Sequence, residues 1–513
     1  MRSEPRRGPD RGDGTFLNPV LPGDRPDPSV LRVGDAFYLT YSSFDASPGL
    51  TVWRSPDLVN WTFATCALAA PHSTVFAPEL VEHDGRYYIY FPYIPSAWSE
   101  SIAAPEVWVV HADSPEGPWS EPVFTGISGA IDPGHIVGED GERYLFVNGV
   151  RRCRLSPDGL RAVTPLEQVY DGWRYPDDWI TEAYALEGPK LFRRGDWFYL
   201  VSAVGGTGGP ATGHMVIVAR SRSVHGPWEN APHNPIARTW SADEAWWSRG
   251  HATLIDSGDD SWWMLSHGYE NGYRTLGRQA LLEPIEWTED GWPTAPSSDL
   301  GAPIRKPADG ATPVAVPAPS DDFAAGAWGE RWVFDNPGRD ELARARFDDG
   351  LVLRGKGHGP ADSSPLTTWS MDRAYEVEVE LEVRGGSAGG LLLYFDDRLF
   401  YGMGWDGEAM QSYAGGIRTH WREPAEPGAT IELRLRNDHH IVTGWHRRPS
   451  EDRPSEDRPR EEWTRHGIRY DTSGAHSATI NDLKSLRPAL FASGGGEVVF
   501  RRFRYRVLEE AGT

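Results

Sequence analysis

The chain has 513 residues, 39% apolar and 24% charged, with 51 Lys and Arg against 74 Asp and Glu, a formal charge of −23. That length predicts about two to four domains, the composition excludes wholesale disorder, and the negative charge argues against nucleic acid or an anionic membrane as partner. No apolar run approaches the roughly 18 residues of a bilayer span. The opening MRSEPRRGPDRGDGTF lacks the apolar stretch of a secretion signal, and Cys66 and Cys153 are too few for a disulfide framework, so a cytoplasmic protein is expected.

The 23 Trp, 19 Tyr and 18 Phe, set among 56 Gly and 42 Pro, favour many short strands over long helices. Five segments repeat one plan: a short polar lead, with proline in four of them, then apolar residues, a Gly/Asp turn and an aromatic strand. They are PDPSVLRVGDAFYLTYSS, FAPELVEHDGRYYIYFPY, IDPGHIVGEDGERYLFVNG, EGPKLFRRGDWFYLVSAV and GHATLIDSGDDSWWMLSHG. Their spacing suits one four-stranded sheet each, and a sheet that cannot cover its own faces must stack on its neighbours. Residues 14–300 are therefore expected to form a five-bladed β-propeller. A Pro-rich linker is expected over 301–320, followed over 321–508 by a β-sandwich of the jelly-roll kind, because YEVEVELEV, GLLLYF, TIELRLR and EVVFRRFRYRV largely alternate apolar with polar. The duplication RPSEDRPSEDRPREE from Arg448 is expected to be a solvated loop.

In a propeller, equivalent positions on the innermost strands converge on the axis. Aligned on Pro28, Pro78, Pro133 and Pro189, the preceding residues are Asp27, Ala77, Asp132 and Gly188, and the fifth repeat offers His251. Glu187 stands one step before Gly188. Any one of these carboxylates reads as an ordinary turn residue; three at one axial position suggest chemistry. Two carboxyls across an aromatic-lined pocket can cleave a glycosidic bond, one protonating the leaving oxygen and the other activating water. A third beside them can hold the acid's pKa up.

NPVLPGDRPDPSV, FAPEL, IDP with DGERYL, EGPKL, GHATL and LGR, in this order and spacing, resemble glycoside hydrolase family 43 over about residues 17 to 300. The resemblance implies an inverting glycosidase of β-D-xylosides or α-L-arabinofuranosides, with a plant-derived oligosaccharide as partner; action from the chain end is expected because the long aromatic loop and the sandwich would close the channel into a pocket. It implies Asp27 as general base, Glu187 as general acid and Asp132 as the group that tunes and orients the acid. Arg278 and His251 fall at the family's sugar-pocket positions, and Phe44, Phe76 and Trp173 are the candidate stacking rings. No cofactor is implied for the chemistry, although some relatives carry a calcium near the histidine matched by His251. The C-terminal region resembles the sandwich of two-domain members. Two departures concern the sugar: Phe76 stands where relatives often have Trp, and Gln279 follows Arg278 where Glu is common. In the long loop before the acid, Trp173, Tyr175 and Trp179 can wall a subsite or pack the loop. Rival readings are a binding-only propeller, which needs no acid and base, a sialidase, which needs an arginine triad, and a fructan-cleaving retaining enzyme, which needs an Asn-Asp-Pro-Asn lead. Galactofuranose is a further sugar that the pocket would suit.

Overall fold

The computed structural model describes residues 8–70, 74–94, 103–296, 299–308, 313–314, 316, 319–326, 328–338, 340–449, 462–480 and 482–508, apart from the side chains of 420–424 and 468. It divides into two compact units, Met1–Arg274 with Arg278–Val316, and Thr275–Gly277 with Pro317–Thr513. Among the described residues no helix is long and apolar enough to cross a membrane.

The first unit is a five-bladed β-propeller. The first blade runs Ser29–Val33, Ala36–Thr40, Gly49–Ser55 and Thr62–Leu68, and the other innermost strands are Glu79–His83, Gly134–Val137, Glu187–Arg194 and Trp246–Asp256. Two-residue turns with left-handed glycine close the inner hairpins at Gly34 (φ 60°), Gly85 (φ 76°) and Gly195 (φ 60°), as Gly/Asp pairs between period-2 runs predict. Because successive strand residues point to opposite faces, each blade supplies two cores. Phe37 and Leu39 pack with Trp263, Leu265 and Leu282 of the fifth blade, whereas Tyr38 packs with Ile89 and Phe91 of the second. Tyr88, Tyr90 and Val109 meet Leu145, Tyr144 and Phe146 meet Leu200 and Ile217, and Tyr199 and Val201 meet Leu254 and Met264, completing the ring of cores.

The ring is closed by the chain ahead of the first blade. Thr15–Phe16 pairs with Ile304–Arg305, and Leu21 bridges to Ala280 on the fifth blade. The Asn18 amide substitutes for a strand there, donating to the Leu282 carbonyl at 3.0 Å and accepting its N–H at 2.8 Å.

On the axis, the residues just after the repeat prolines form a buried pin. Glu79 of the second blade accepts from Lys190 Nζ of the fourth at 2.5 Å, from Ser29 Oγ of the first at 3.1 Å and from the His135 N–H of the third at 3.3 Å. Lys190 also donates to the carbonyls of Pro78 at 2.7 Å and Pro133 at 3.3 Å, and Thr253 of the fifth blade donates to the Pro28 carbonyl at 2.8 Å.

The second unit is a β-sandwich. One sheet runs Ile417–Pro424, Ala409–Ala414, Leu399–Trp405, Ser387–Asp396, Arg487–Gly494, Leu366–Thr367 and Val333–Asp335 in spatial order. The other runs Ala345–Phe347, Leu351–Arg354, Glu497–Val507, Ala374–Arg384, Thr430–Asp438, Ile441–Arg447 and Thr464–Asp471. Val377, Val379, Leu433 and Leu435 of one sheet meet Leu391, Leu393, Met403 and Leu490 of the other in a shared core. The charged duplication lies outside the described residues over 450–461, as does much of the Pro-rich stretch after residue 308.

Candidate active site

Four of the five blades carry, at or near the repeat position on the innermost strand, the backbone feature that builds the site. Asp27, Asp132, Gly188 and His251 all adopt left-handed φ, at 59°, 56°, 59° and 50°. For a residue with a Cβ this conformation costs about 1 kcal/mol or more and persists only where the surroundings enforce it. In the fourth blade glycine is required twice over: its φ is left-handed, and a Cβ there would stand 2.9 Å from the His251 ring. The carboxyl of that blade therefore comes from Glu187, the residue before.

Asp27 is buried and held from several sides. Its Oδ1 lies 3.2 Å from Arg278 Nη1, 3.3 Å from His251 Nδ1 and 3.0 Å from His267 Nδ1, and its Oδ2 accepts from Ser42 Oγ at 2.5 Å. Burial alone would raise its pKa, but the Arg278 guanidinium foremost, with the two histidines, holds the carboxyl well below the usual carboxylate range. Glu187 is pushed the other way, up to about 8, by burial and by the negative charge of Asp27. A quarter of its side chain remains exposed, a path by which a substrate oxygen can reach it. Asp132 is raised to about 7, first by burial and then by the charges of Glu187 and Asp27. Its Oδ2 accepts the Gly188 N–H at 3.1 Å, so it also clamps the peptide next to the acid.

The structure thus brings Asp27, His251 and Arg278 into contact, and links Asp132 to Glu187 through Gly188. Phe44 lies under the Arg278 guanidinium at 5.4 Å and meets Phe76 edge to face at 5.6 Å, so both rings border this cluster. Trp173 is placed differently. Its ring packs 6.3 Å from Trp179, which stacks on Tyr175, and the Tyr184 hydroxyl donates to the Trp173 carbonyl at 3.1 Å. These three partly buried aromatics pack on one another and on the core between the third and fourth blades, and Trp179 also meets Trp240.

Three residues of the cluster were not singled out from the sequence: His214, His267 and Ser42. His214 lies 3.4 Å from Glu187 Oε1, and a Cβ on Gly250 would strike its ring at 2.3 Å, so a glycine makes room for it. Burial pushes His214 down to about 4 and His267 to about 3, which keeps both imidazoles neutral at pH 7. A signal for two of them existed. Ser29 pairs with Thr40 and Thr253 with Leu265, so Ser42 and His267 occupy matching positions two residues further along the chain.

The surroundings of His251 do not suit a protein-built calcium cage. Its Nε2 is buried without a hydrogen-bond partner, but among the described residues no group of three or more His, Cys, Asp or Glu side chains could hold a metal. Calcium takes about six to eight oxygen ligands, and a lone imidazole nitrogen supplies none.

The sequence profile of glycosyl hydrolases family 43 matches residues 16–293, more than half of the chain. The chain belongs to glycosyl hydrolase family 43. It is 33% identical over 318 residues to a xylan 1,3-β-xylosidase of a Vibrio species, covering 54% of this chain and 57% of that protein. It is 34% identical over 302 residues to a non-reducing end α-L-arabinofuranosidase of Bacteroides ovatus, covering 54% of this chain and 53% of that one. The match thus spans about half the length of these curated relatives. Among solved structures, a family 43 protein from the Bacteroides ovatus xyloglucan locus superimposes with a TM-score of 0.82 at 25% identity, covering 96% of this chain and 100% of that one. The family 43 protein BlXynB of Bacillus licheniformis gives a TM-score of 0.82 at 24% identity with the same coverage, a likeness of fold. The family assignment leaves the fructan-cleaving and sialidase readings without support.

Proposed function

We propose that this chain is an inverting glycosidase that removes a terminal pentose, β-D-xylose or α-L-arabinofuranose, from the non-reducing end of plant-polysaccharide oligosaccharides. One observation carries the reading: the environment separates two carboxyls of one cluster, keeping Asp27 ionised and Glu187 protonated near neutral pH. A binding-only propeller would have no use for that division. The names of the xylosidase and arabinofuranosidase relatives support the pentose.

In this mechanism Asp27 accepts a proton from water as the water oxygen attacks the anomeric carbon. Glu187 gives its proton to the glycosidic oxygen, and the bond between anomeric carbon and that oxygen breaks. Each step moves one proton, and the two carboxyls exchange protonation states before solvent resets them. Arg278 keeps Asp27 charged, while Asp132 fixes Gly188 and adds negative charge beside the acid. No metal enters.

A panel of nitrophenyl glycosides tests the sugar, and NMR of the first product tests the stereochemistry. A β-xyloside is expected to release α-xylose first; initial β-xylose, or transfer to methanol with retention, would make Asp27 a nucleophile and overturn the mechanism.

The pH profile is a separate check. The alkaline limb of kcat/KM should fall near pH 8, where Glu187 loses its proton. Charge coupling is mutual, and Glu187 raises Asp132. Asp132→Asn keeps an acceptor for the Gly188 N–H but removes the charge, so Glu187 should ionise more easily and the alkaline limb should move toward acid. An unchanged limb would remove Asp132 from that role.

A further inference from the structure

Trp240 is the one tryptophan in the group of exposed large apolar side chains among the described residues, at 58% exposed, and Ile180 is another, at 76%. Apolar side chains scattered singly on a surface need no explanation, whereas exposed ones held together on connections that lead into an active site can mark a ligand contact. Here the Trp240 and Ser241 N–H groups both donate to Glu244 Oε1, at 2.6 and 3.0 Å. Asn271 secures the same loop by donating to the carbonyls of Ala242 at 3.0 Å and Glu244 at 2.9 Å. The Trp240 ring meets Trp179 edge to face at 5.9 Å, and the buried Arg238 guanidinium sits 3.7 Å over Trp179 and 4.9 Å over Trp240. Arg238 is itself tied to the Thr212 carbonyl at 2.8 Å.

The place of this indole in the fold identifies its ligand. Trp240 lies on the connection that enters the innermost strand Trp246–Asp256 of the fifth blade, upstream of His251. Trp179 and Ile180 lie on the connection that enters the strand Glu187–Arg194 of the fourth. Both connections therefore reach the axis from the carboxylate end. Glu182, two residues past Ile180, is near enough for its charge to raise the titration of Glu187.

We infer that Trp240, backed by Trp179 and Arg238 and flanked by Ile180, is a stacking platform for the sugar units on the leaving-group side of the scissile bond. A sugar ring lays one face of C–H groups on an aromatic face, which a single indole matches. A protein partner would need about 800 Å² from each side, far more than two apolar side chains provide. The inference rests on the glycosidase reading and adds to it an affinity for chains rather than single sugars.

The test separates the two. For Trp240→Ala and Trp240→Phe, kcat/KM is measured on xylotetraose and on nitrophenyl β-xyloside, and the ratio of the two is compared with the parent. The expected result is a ratio lowered about tenfold in Trp240→Ala, equivalent to about 1.4 kcal/mol, and largely restored in Trp240→Phe. An unchanged ratio overturns the platform while leaving the glycosidase reading intact. In a Glu187→Gln background, calorimetric binding of xylotetraose should weaken by a similar factor on adding Trp240→Ala. That arm reads the platform even if the parent hydrolyses neither compound, a result that would sink the glycosidase reading alone. Equal affinity with and without Trp240 overturns the platform.

Discussion

Asp27→Ala is expected to lower kcat by about 10³-fold or more for every leaving group, whereas the loss in Glu187→Ala should depend on the leaving group. General acid or base assistance contributes roughly 10²- to 10⁴-fold, and the two carboxyls assist different partners. Without Glu187 the glycosidic oxygen departs unprotonated, which an oligosaccharide alkoxide cannot do readily but dinitrophenoxide can. The dinitrophenyl glycoside should therefore be hydrolysed by Glu187→Ala within about tenfold of the parent rate. Without Asp27 the water is not activated, so the same good leaving group gives no rescue. Azide, an anion that needs no deprotonation, should restore turnover of the dinitrophenyl glycoside and appear as a glycosyl azide of inverted configuration. There is a second consequence. Asp27 raises Glu187 by its charge and is paired with Arg278 at 3.2 Å. Asp27→Asn keeps the shape, and an acceptor for Ser42, but removes that charge, so the residual activity should lose its alkaline limb at lower pH than the parent. Equal rescue of both alanine variants by dinitrophenoxide would reverse or abolish the assignment of base and acid.

The carboxylates were legible because the propeller repeats its backbone. A repeated strand start, marked by proline in four blades, recurs around the axis, so Asp27, Asp132 and, in the fifth repeat, His251 could be aligned before any geometry was available, and they share one left-handed conformation. Glu187 fits the pattern only when displaced by one residue, and the reason is steric: Gly188 takes the left-handed position against His251. His214 had no such signal, since it is defined by a ring filling the space over Gly250, a contact between blades. Ser42 and His267 sit at matching registers near second-strand ends, but a serine and a histidine at one register share no composition that a repeat search would notice. The outermost strands are two residues long in Glu167–Gln168, Glu229–Asn230 and Pro293–Thr294, too short to carry a period-2 pattern. Trp173 was legible as an aromatic in a loop near the acid, but composition does not give the ring contact to Trp179 that the structure adds.

Lys190→Met should cost the propeller about 3 to 5 kcal/mol, the range for breaking a buried pair by removing one partner. Lys190 and Glu79 are both buried, and among the described residues the carboxylate receives Ser29 and a backbone N–H besides the ammonium. Removing the lysine strands a charge on the axis and frees the carbonyls of Pro78 and Pro133 from their shared donor. At about 2 to 4 °C per kcal/mol for a unit of this size, the unfolding midpoint should drop by roughly 6 to 20 °C. Glu79→Leu combined with Lys190→Met removes both charges, and its loss should be well below the sum of the singles because the partners couple directly. The pin also reaches the chemistry. Pro133 follows Asp132 in the chain, and Lys190 lies three residues after Glu187. Activity in Lys190→Met should therefore fall even at temperatures where the protein stays folded, as the strand start that carries Glu187 loosens. A midpoint within 2 °C of the parent in Lys190→Met, or a double variant as unstable as the sum of its singles, would mean that the pair is not what holds the innermost strands together.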